Sequence, residues 1–186
     1  MFILLLWTQP KPNWSFFIFV FICLVSGFAP EWTGVNTGKL FGDYAYGSVL
    51  GYRWQGVPLL IGVNWFIMMY CCGITVYTVL RRFAVSMAGV SNTPPKVVRA
   101  LSVIVDGATL AVFFDWVMEP VAVRLGFWQW FGNGQIPFYN YFCWFLASML
   151  LLALFHFLPF PKSNKFAIHL LLIQLMFFLL LRTLYN

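Results

Sequence analysis

Five apolar runs, each close to the length of a bilayer crossing, dominate this sequence and leave only polar connections between them. A spanning helix needs about 20 mostly apolar residues. The runs cover residues 14–29, 57–80, 97–118, 138–158 and 165–184. Pro30 closes the first, Arg81-Arg82 the second, and Pro159 with Pro161 the fourth. A soluble domain would carry roughly a quarter of its residues as charges. This chain of 186 residues has 9% charged and 62% hydrophobic residues, with a mean hydropathy of +0.84. The expected fold is an all-α integral membrane protein: one polytopic bundle of about five transmembrane helices over residues 1–186. Met1–Trp7 is apolar but too short to span, and reads as an interfacial segment or part of a further N-terminal helix.

The net charge of +6 does not point to nucleic acid, because the cations bracket the apolar runs. Lys11, Arg81, Arg82, Lys96, Arg99, Lys162 and Lys165 fall on the N-terminal side of the alternating topology, against Lys39, Arg53, Arg124 and Arg182 on the other. The positive-inside rule then predicts a multi-pass protein of the cell membrane with its N-terminus in the cytoplasm. The membrane lipids are its expected surroundings. Cys23, Cys71, Cys72 and Cys143 lie within apolar runs without metal-binding spacing and read as buried thiols.

Alternation places the connections 30–56 and 120–137 on one face. Both are rich in glycine and aromatic residues: Glu31-Trp-Thr-Gly-Val-Asn-Thr-Gly-Lys-Leu-Phe-Gly-Asp-Tyr-Ala-Tyr-Gly in one, Gly126-Phe-Trp-Gln-Trp-Phe-Gly in the other. A headgroup-level aromatic belt accounts for the tryptophans and tyrosines. It does not account for Glu31 and Asp43 interleaved with them, so the expectation is two ordered loops lining a pocket.

Negative charge is the scarcest resource, with only Glu31, Asp43, Asp106, Asp115 and Glu119. An ionisable side chain on a membrane helix is a functional candidate by default. Asp115 and Glu119 lie one turn apart, separated by roughly 40° around the axis. Asp106, about 13 Å further down the same helix, points the other way. Two carboxyls crowded in a dry site cannot both ionise easily, which sets a protonated acid beside an ionised partner. Such a pair can deliver a proton and activate water. The alternatives are an ion pair of Asp115/Glu119 with Arg53 or Arg124, a capping role for Asp106, and interhelical hydrogen bonding for Asn64. His156 and His169 read as structural. Asp115-x-x-x-Glu119 also resembles half of the acidic pairs with which intramembrane prenyltransferases hold magnesium diphosphate, but the remaining acids form no second cluster. A transporter remains compatible with the composition, although no internal repeat is evident.

Beyond these residues, the chain resembles a known family. The Glu31–Gly47 run, Leu50-Gly51, the Gly56-Val-Pro-Leu-Leu-Ile-Gly-Val-Asn-Trp65 segment, Asp115-Trp-Val-Met-Glu119-Pro-Val-Ala, Gly126-Phe-Trp-Gln-Trp130, Ile136-Pro137, Asn140 and Trp144 look like the integral-membrane carotenoid biosynthesis proteins. These include carotenoid 1,2-hydratases acting on γ-carotene, lycopene or bisanhydrobacterioruberin. Family members commonly have a further N-terminal hydrophobic helix, to part of which Met1–Trp7 corresponds, and many carry Asp where Glu119 stands.

The resemblance implies hydration of the terminal isoprene double bond of an acyclic carotenoid end group to a tertiary alcohol, without cofactor or metal. A carboxylic acid would protonate the alkene, water would add to the tertiary carbocation, and a carboxylate would take up the proton. Asp115 or Glu119 is expected as the acid, with Glu31 or Asp43 activating water, or the reverse, and Asp106 as a further candidate. Trp32, Tyr44, Tyr46, Trp128 and Trp130 are expected to stabilise the cation through their π-faces, with Asn64 and Asn140 as further substrate contacts. A carotenoid cyclase would share the protonation step, and a non-catalytic membrane subunit is the reading from another class. The expected partners are a lipid-phase carotenoid, water and other carotenoid enzymes.

Overall fold

A computed structural model describes residues 1–88, 95–132 and 134–185. Asn133, within the second aromatic connection, lies outside the described residues. The chain is mostly helical, and among the described residues five helices are long and apolar enough to cross a membrane. In chain order the elements are α1 (Phe2–Thr8), α2 (Trp14–Thr37), β1 (Tyr44–Tyr46), β2 (Arg53–Trp54), β3 (Val57–Pro58) and α3 (Leu60–Ala88). The third span joins α4 (Lys96–Leu101), a π-helical turn at Ser102–Asp106 and α5 (Gly107–Arg124). Then come β4 (Trp128–Trp130), α6 (Phe138–Phe157) and α7 (Lys165–Leu184).

The last two spans have the predicted limits to within a residue. The first three run further than their expected stops, and each extension has a local cause. Pro30 removes one backbone donor, a loss that a membrane helix tolerates when nearby side chains take up the backbone groups. The turns that follow are tied back by Thr33 Oγ1 to Ala29 O at 3.0 Å, Asn36 Nδ2 to Trp32 O at 2.9 Å and Thr37 Oγ1 to Thr33 O at 2.5 Å. The helix therefore continues to Thr37, and Glu31 belongs to α2 instead of a loop. Likewise Arg81-Arg82 lie within α3, and Pro120 within α5.

The two aromatic connections do meet on one face. They zip into a short antiparallel sheet in which Tyr44 pairs with Trp130, Ala45 with Gln129 and Tyr46 with Trp128. Because side chains alternate along a strand, Tyr44, Tyr46, Trp128 and Trp130 share the inner face, while Gln129 is exposed. Gly47 makes the pairing possible: its N–H donates to Phe127 O at 2.8 Å, and a Cβ there would sit 2.0 Å from Gly126 O.

Beneath this sheet the helices share an aromatic core. Phe16 and Phe19 of α2, Phe66 and Tyr70 of α3, Phe155 of α6 and Phe160 beyond it contact one another, mostly edge to face. α2 and α3 approach closely at Gly62, where a Cβ would lie 2.4 Å from Leu24 O. At the opposite face a polar network fastens α1 to the α6–α7 connection. Gln9 Nε2 donates to Pro161 O at 2.8 Å, Asn164 Nδ2 to Thr8 Oγ1 at 3.0 Å and to the Tyr70 hydroxyl at 3.1 Å, and that hydroxyl donates to Gln9 Oε1. Met1–Trp7 is thus largely part of a helix docked on the bundle through buried Leu5.

Candidate active site

Three of the five carboxylates are almost fully withdrawn from solvent: Glu31 is 4%, Asp115 1% and Glu119 2% exposed. Burying a carboxyl is tolerable only with hydrogen-bond partners, and the inner face of the sheet supplies most of them. The Tyr44 and Tyr46 hydroxyls donate to Glu31 Oε2 at 2.6 and 2.7 Å, and Trp65 Nε1 donates to Glu31 Oε1 at 3.1 Å. The indoles of Trp128 and Trp130 both donate to Glu119 Oε1, at 2.7 and 2.6 Å. An indole N–H can only donate, so this oxygen is fixed as an acceptor. Burial, and then the Glu31 carboxylate beside them, push the Tyr44 and Tyr46 phenols up, so both remain donors.

Asp115 differs. Its Oδ2 accepts from Asn140 Nδ2 at 3.1 Å, while its buried Oδ1 has no hydrogen-bond partner among the described residues. Its carboxyl interacts directly with that of Glu119 one turn later.

The three acids line one cavity of about 250 Å³. Pockets for whole small ligands are typically about 300–1,000 Å³, so this one lies just below that range. Apart from Asn64, Asn140 and Gln174, its other walls are apolar or aromatic, among them Phe41, Met68, Phe114, Trp144 and Phe178. Trp144 stacks on Trp65 with ring centroids 4.1 Å apart, a flat π-surface within the same cavity. Leu60 and Asn64 line it while remaining exposed, marking a side opening beside α3.

The structure thus brings together Glu31, Asp115, Glu119, Tyr44, Tyr46, Asn64, Trp128, Trp130 and Asn140. It leaves three candidates outside. Asp43 is exposed at the sheet edge, since the alternation that turns Tyr44 and Tyr46 inward turns residue 43 outward. Asp106 is exposed on the π-helical turn, away from the cavity. Trp32 donates through its indole to Gln55 Oε1 and pins the β2–β3 turn instead of facing the cavity. Neither arginine forms the ion pair considered as an alternative: Arg53 donates to Tyr46 O at 2.8 Å, and Arg124 lies over the Tyr185 ring. Asn64 makes no interhelical hydrogen bond among the described residues, which leaves its amide available at the opening.

Trp65, its stacking partner Trp144 and Gln174 line the cavity and were not foreseen as functional. Trp65 belongs to the family-like run, but its bond to Glu31 depends on tertiary packing. Gln174 is the lone amide in the middle of a largely apolar span, which was a usable signal; its buried Oε1 has no hydrogen-bond partner among the described residues. Among the described residues, no group of three or more His, Cys, Asp or Glu side chains is arranged to hold a metal ion.

Comparison with known proteins bears on the family of the chain. The chain is 32% identical over 133 residues to a bisanhydrobacterioruberin hydratase of Haloarcula japonica, an alignment that takes in 68% of this chain and 40% of the relative. The chain therefore spans about 40% of the length of that relative. No solved structure matches it. Residues 1–186 match the family described as carotenoid biosynthesis protein, and the chain belongs to that family.

Proposed function

We propose that this chain hydrates the terminal isoprene double bond of an acyclic carotenoid end group, such as that of γ-carotene or lycopene, to a tertiary alcohol. The observation that carries the reading is Asp115 Oδ1, a buried carboxyl oxygen that takes no donor among the described residues, in an aromatic cavity where Glu31 and Glu119 are already held by donors. The hydratase named among its relatives supports the same class of reaction.

In this mechanism the end group enters beside Leu60 and Asn64 while the polyene stays in the lipid phase. Asp115 donates its proton from Oδ1 to the alkene carbon, forming a tertiary carbocation and a carboxylate. The stacked Trp65 and Trp144 and the Tyr44 and Tyr46 rings present negative π-faces, each worth up to about 2 kcal/mol to a desolvated cation. Water adds to the cationic carbon, and its surplus proton passes to Glu31 or Glu119 and from there back to Asp115. The net reaction is alkene plus water to alcohol, with no electrons exchanged. The protein acts as one unit in the cell membrane, with its more basic face in the cytoplasm and other carotenoid enzymes as neighbours.

Expression in cells accumulating lycopene or γ-carotene tests the proposal, with the pigments analysed by mass. A product heavier by one water is expected. An isomer of unchanged mass would replace hydration with cyclisation, and unchanged pigment would overturn the enzymatic reading.

A further inference from the structure

The face opposite the acid cavity carries a second cleft, of about 450 Å³, between the C-terminal half of α3 and the start of α7. Thr78, Arg81 and Arg82 line one side, and Lys162, Ser163 and Lys165 the other. Among the described residues Arg81, Arg82 and Lys165 form no ion pair. Lys162 is engaged internally, donating to Leu158 O at 2.8 Å with its ammonium over the Phe160 ring.

Among the described residues, no carboxylate reaches this cleft. Glu31, Asp115 and Glu119 are buried in the other cavity, Asp43 lies on the other face, and Asp106 stands ten residues into the third span from Lys96. Among the described residues, three unpaired cations stand beside hydroxyl donors with no acid nearby, an arrangement suited to an anion from outside the chain. The combination fits phosphate oxygens, which accept several charge-assisted hydrogen bonds at once.

We propose that this cleft binds the phosphate of an anionic phospholipid headgroup. A lipid is favoured over a free phosphate by what adjoins the site. Ile168 lines the cleft, and Leu172 and Met176 continue the same side of α7 as exposed apolar residues, 50% and 62% exposed, a track for an acyl chain. Phe83 and Val79 of α3 add exposed apolar surface near the cleft. The site is separate from the acids and does not depend on the reaction proposed for them.

Lipid retention measured by mass spectrometry on the purified full chain decides the matter. The probes are phosphatidylglycerol, phosphatidylcholine and inorganic diphosphate. The unaltered protein is expected to retain phosphatidylglycerol over phosphatidylcholine by roughly tenfold or more, which needs no variant. Arg81→Gln with Lys165→Gln should reduce that retention by about 30-fold, given the attraction of two interfacial cations to anionic lipid. Lys11→Gln with Lys96→Gln removes the same charge from the same face and should leave it unchanged. Equal retention of the two lipids, or equal losses in both double variants, would overturn the proposal. Diphosphate binding that phosphatidylglycerol fails to displace would assign the cleft to a soluble phosphate compound instead.

Discussion

Replacing Trp128 and Trp130 by phenylalanine, singly and together, examines how the sheet controls the acids. Both indoles donate to one oxygen of Glu119, at 2.7 and 2.6 Å. These are short bonds, and bonds to an ionised carboxylate are of the strong, charge-assisted kind. Each is worth about 1.5–3 kcal/mol when the acceptor is charged, and about 1.4 kcal/mol corresponds to a tenfold change in rate. If Glu119 is charged when the transition state forms, either single variant should lower conversion by about 10- to 150-fold. Trp130 is the more buried, at 9% exposure, and its ring lies 5.1 Å from that of Tyr44, so its loss should fall toward the upper end. The double variant strips the oxygen of both donors, and the two effects should be non-additive because they share one acceptor. The assay is conversion rate per unit of membrane-inserted protein, with insertion quantified separately so that folding losses are removed. A double variant that is fully inserted and turns over at the unaltered rate would refute the role of the indoles and of Glu119 together.

Among the acids, Asp115→Asn should abolish product while leaving the protein in the membrane, whereas Asp43→Asn and Asp106→Asn, outside the cavity, should retain near-full conversion; pigment analysis of the three in parallel distinguishes them. Gly62→Ala should lower the thermal midpoint in detergent, because its Cβ would lie 2.4 Å from Leu24 O and overpacking of this kind costs about 1–3 kcal/mol; a rise, the usual result of replacing a helical glycine, would contradict the close α2–α3 approach. Burial, and secondarily Arg99, push the Lys162 ammonium from 10.5 down to about 8. The unfolded chain then binds more protons between those two values, so stability from this group is level below pH 8 and rises up to pH 10.5. In thermal melts across that range the unaltered protein should gain on Lys162→Met as pH rises, and a widening deficit would reverse the argument.

The sequence was most legible where apolar runs end without competing signals. α6 and α7 have the expected limits because Pro159 and Pro161 stop one helix and Asn164 caps the next, its Oδ1 accepting from Ala167 N at 3.2 Å. Pro30 and Pro120 misled because a local breaker is weak against a helix continued on both sides, and Arg81-Arg82 because arginine marks a membrane boundary without ending a helix. The grouping of Glu31 with Asp115 and Glu119 followed from topology alone. The exclusion of Asp43 required the strand pairing, whose Tyr-Ala-Tyr and Trp-Gln-Trp alternation is visible in hindsight but too short to signal a strand by itself. Trp65 over Trp144, and Gln174 at the cavity wall, depend on which helices face one another, and no single run specifies that.

The most direct test of hydration is turnover in isotopically labelled water. Membranes containing this chain would be supplied with γ-carotene or lycopene in water enriched in oxygen-18. The predicted product carries one labelled oxygen as a tertiary hydroxyl, and Asp115→Asn yields none. An unlabelled hydroxyl, or an isomer without added oxygen, would contradict the account.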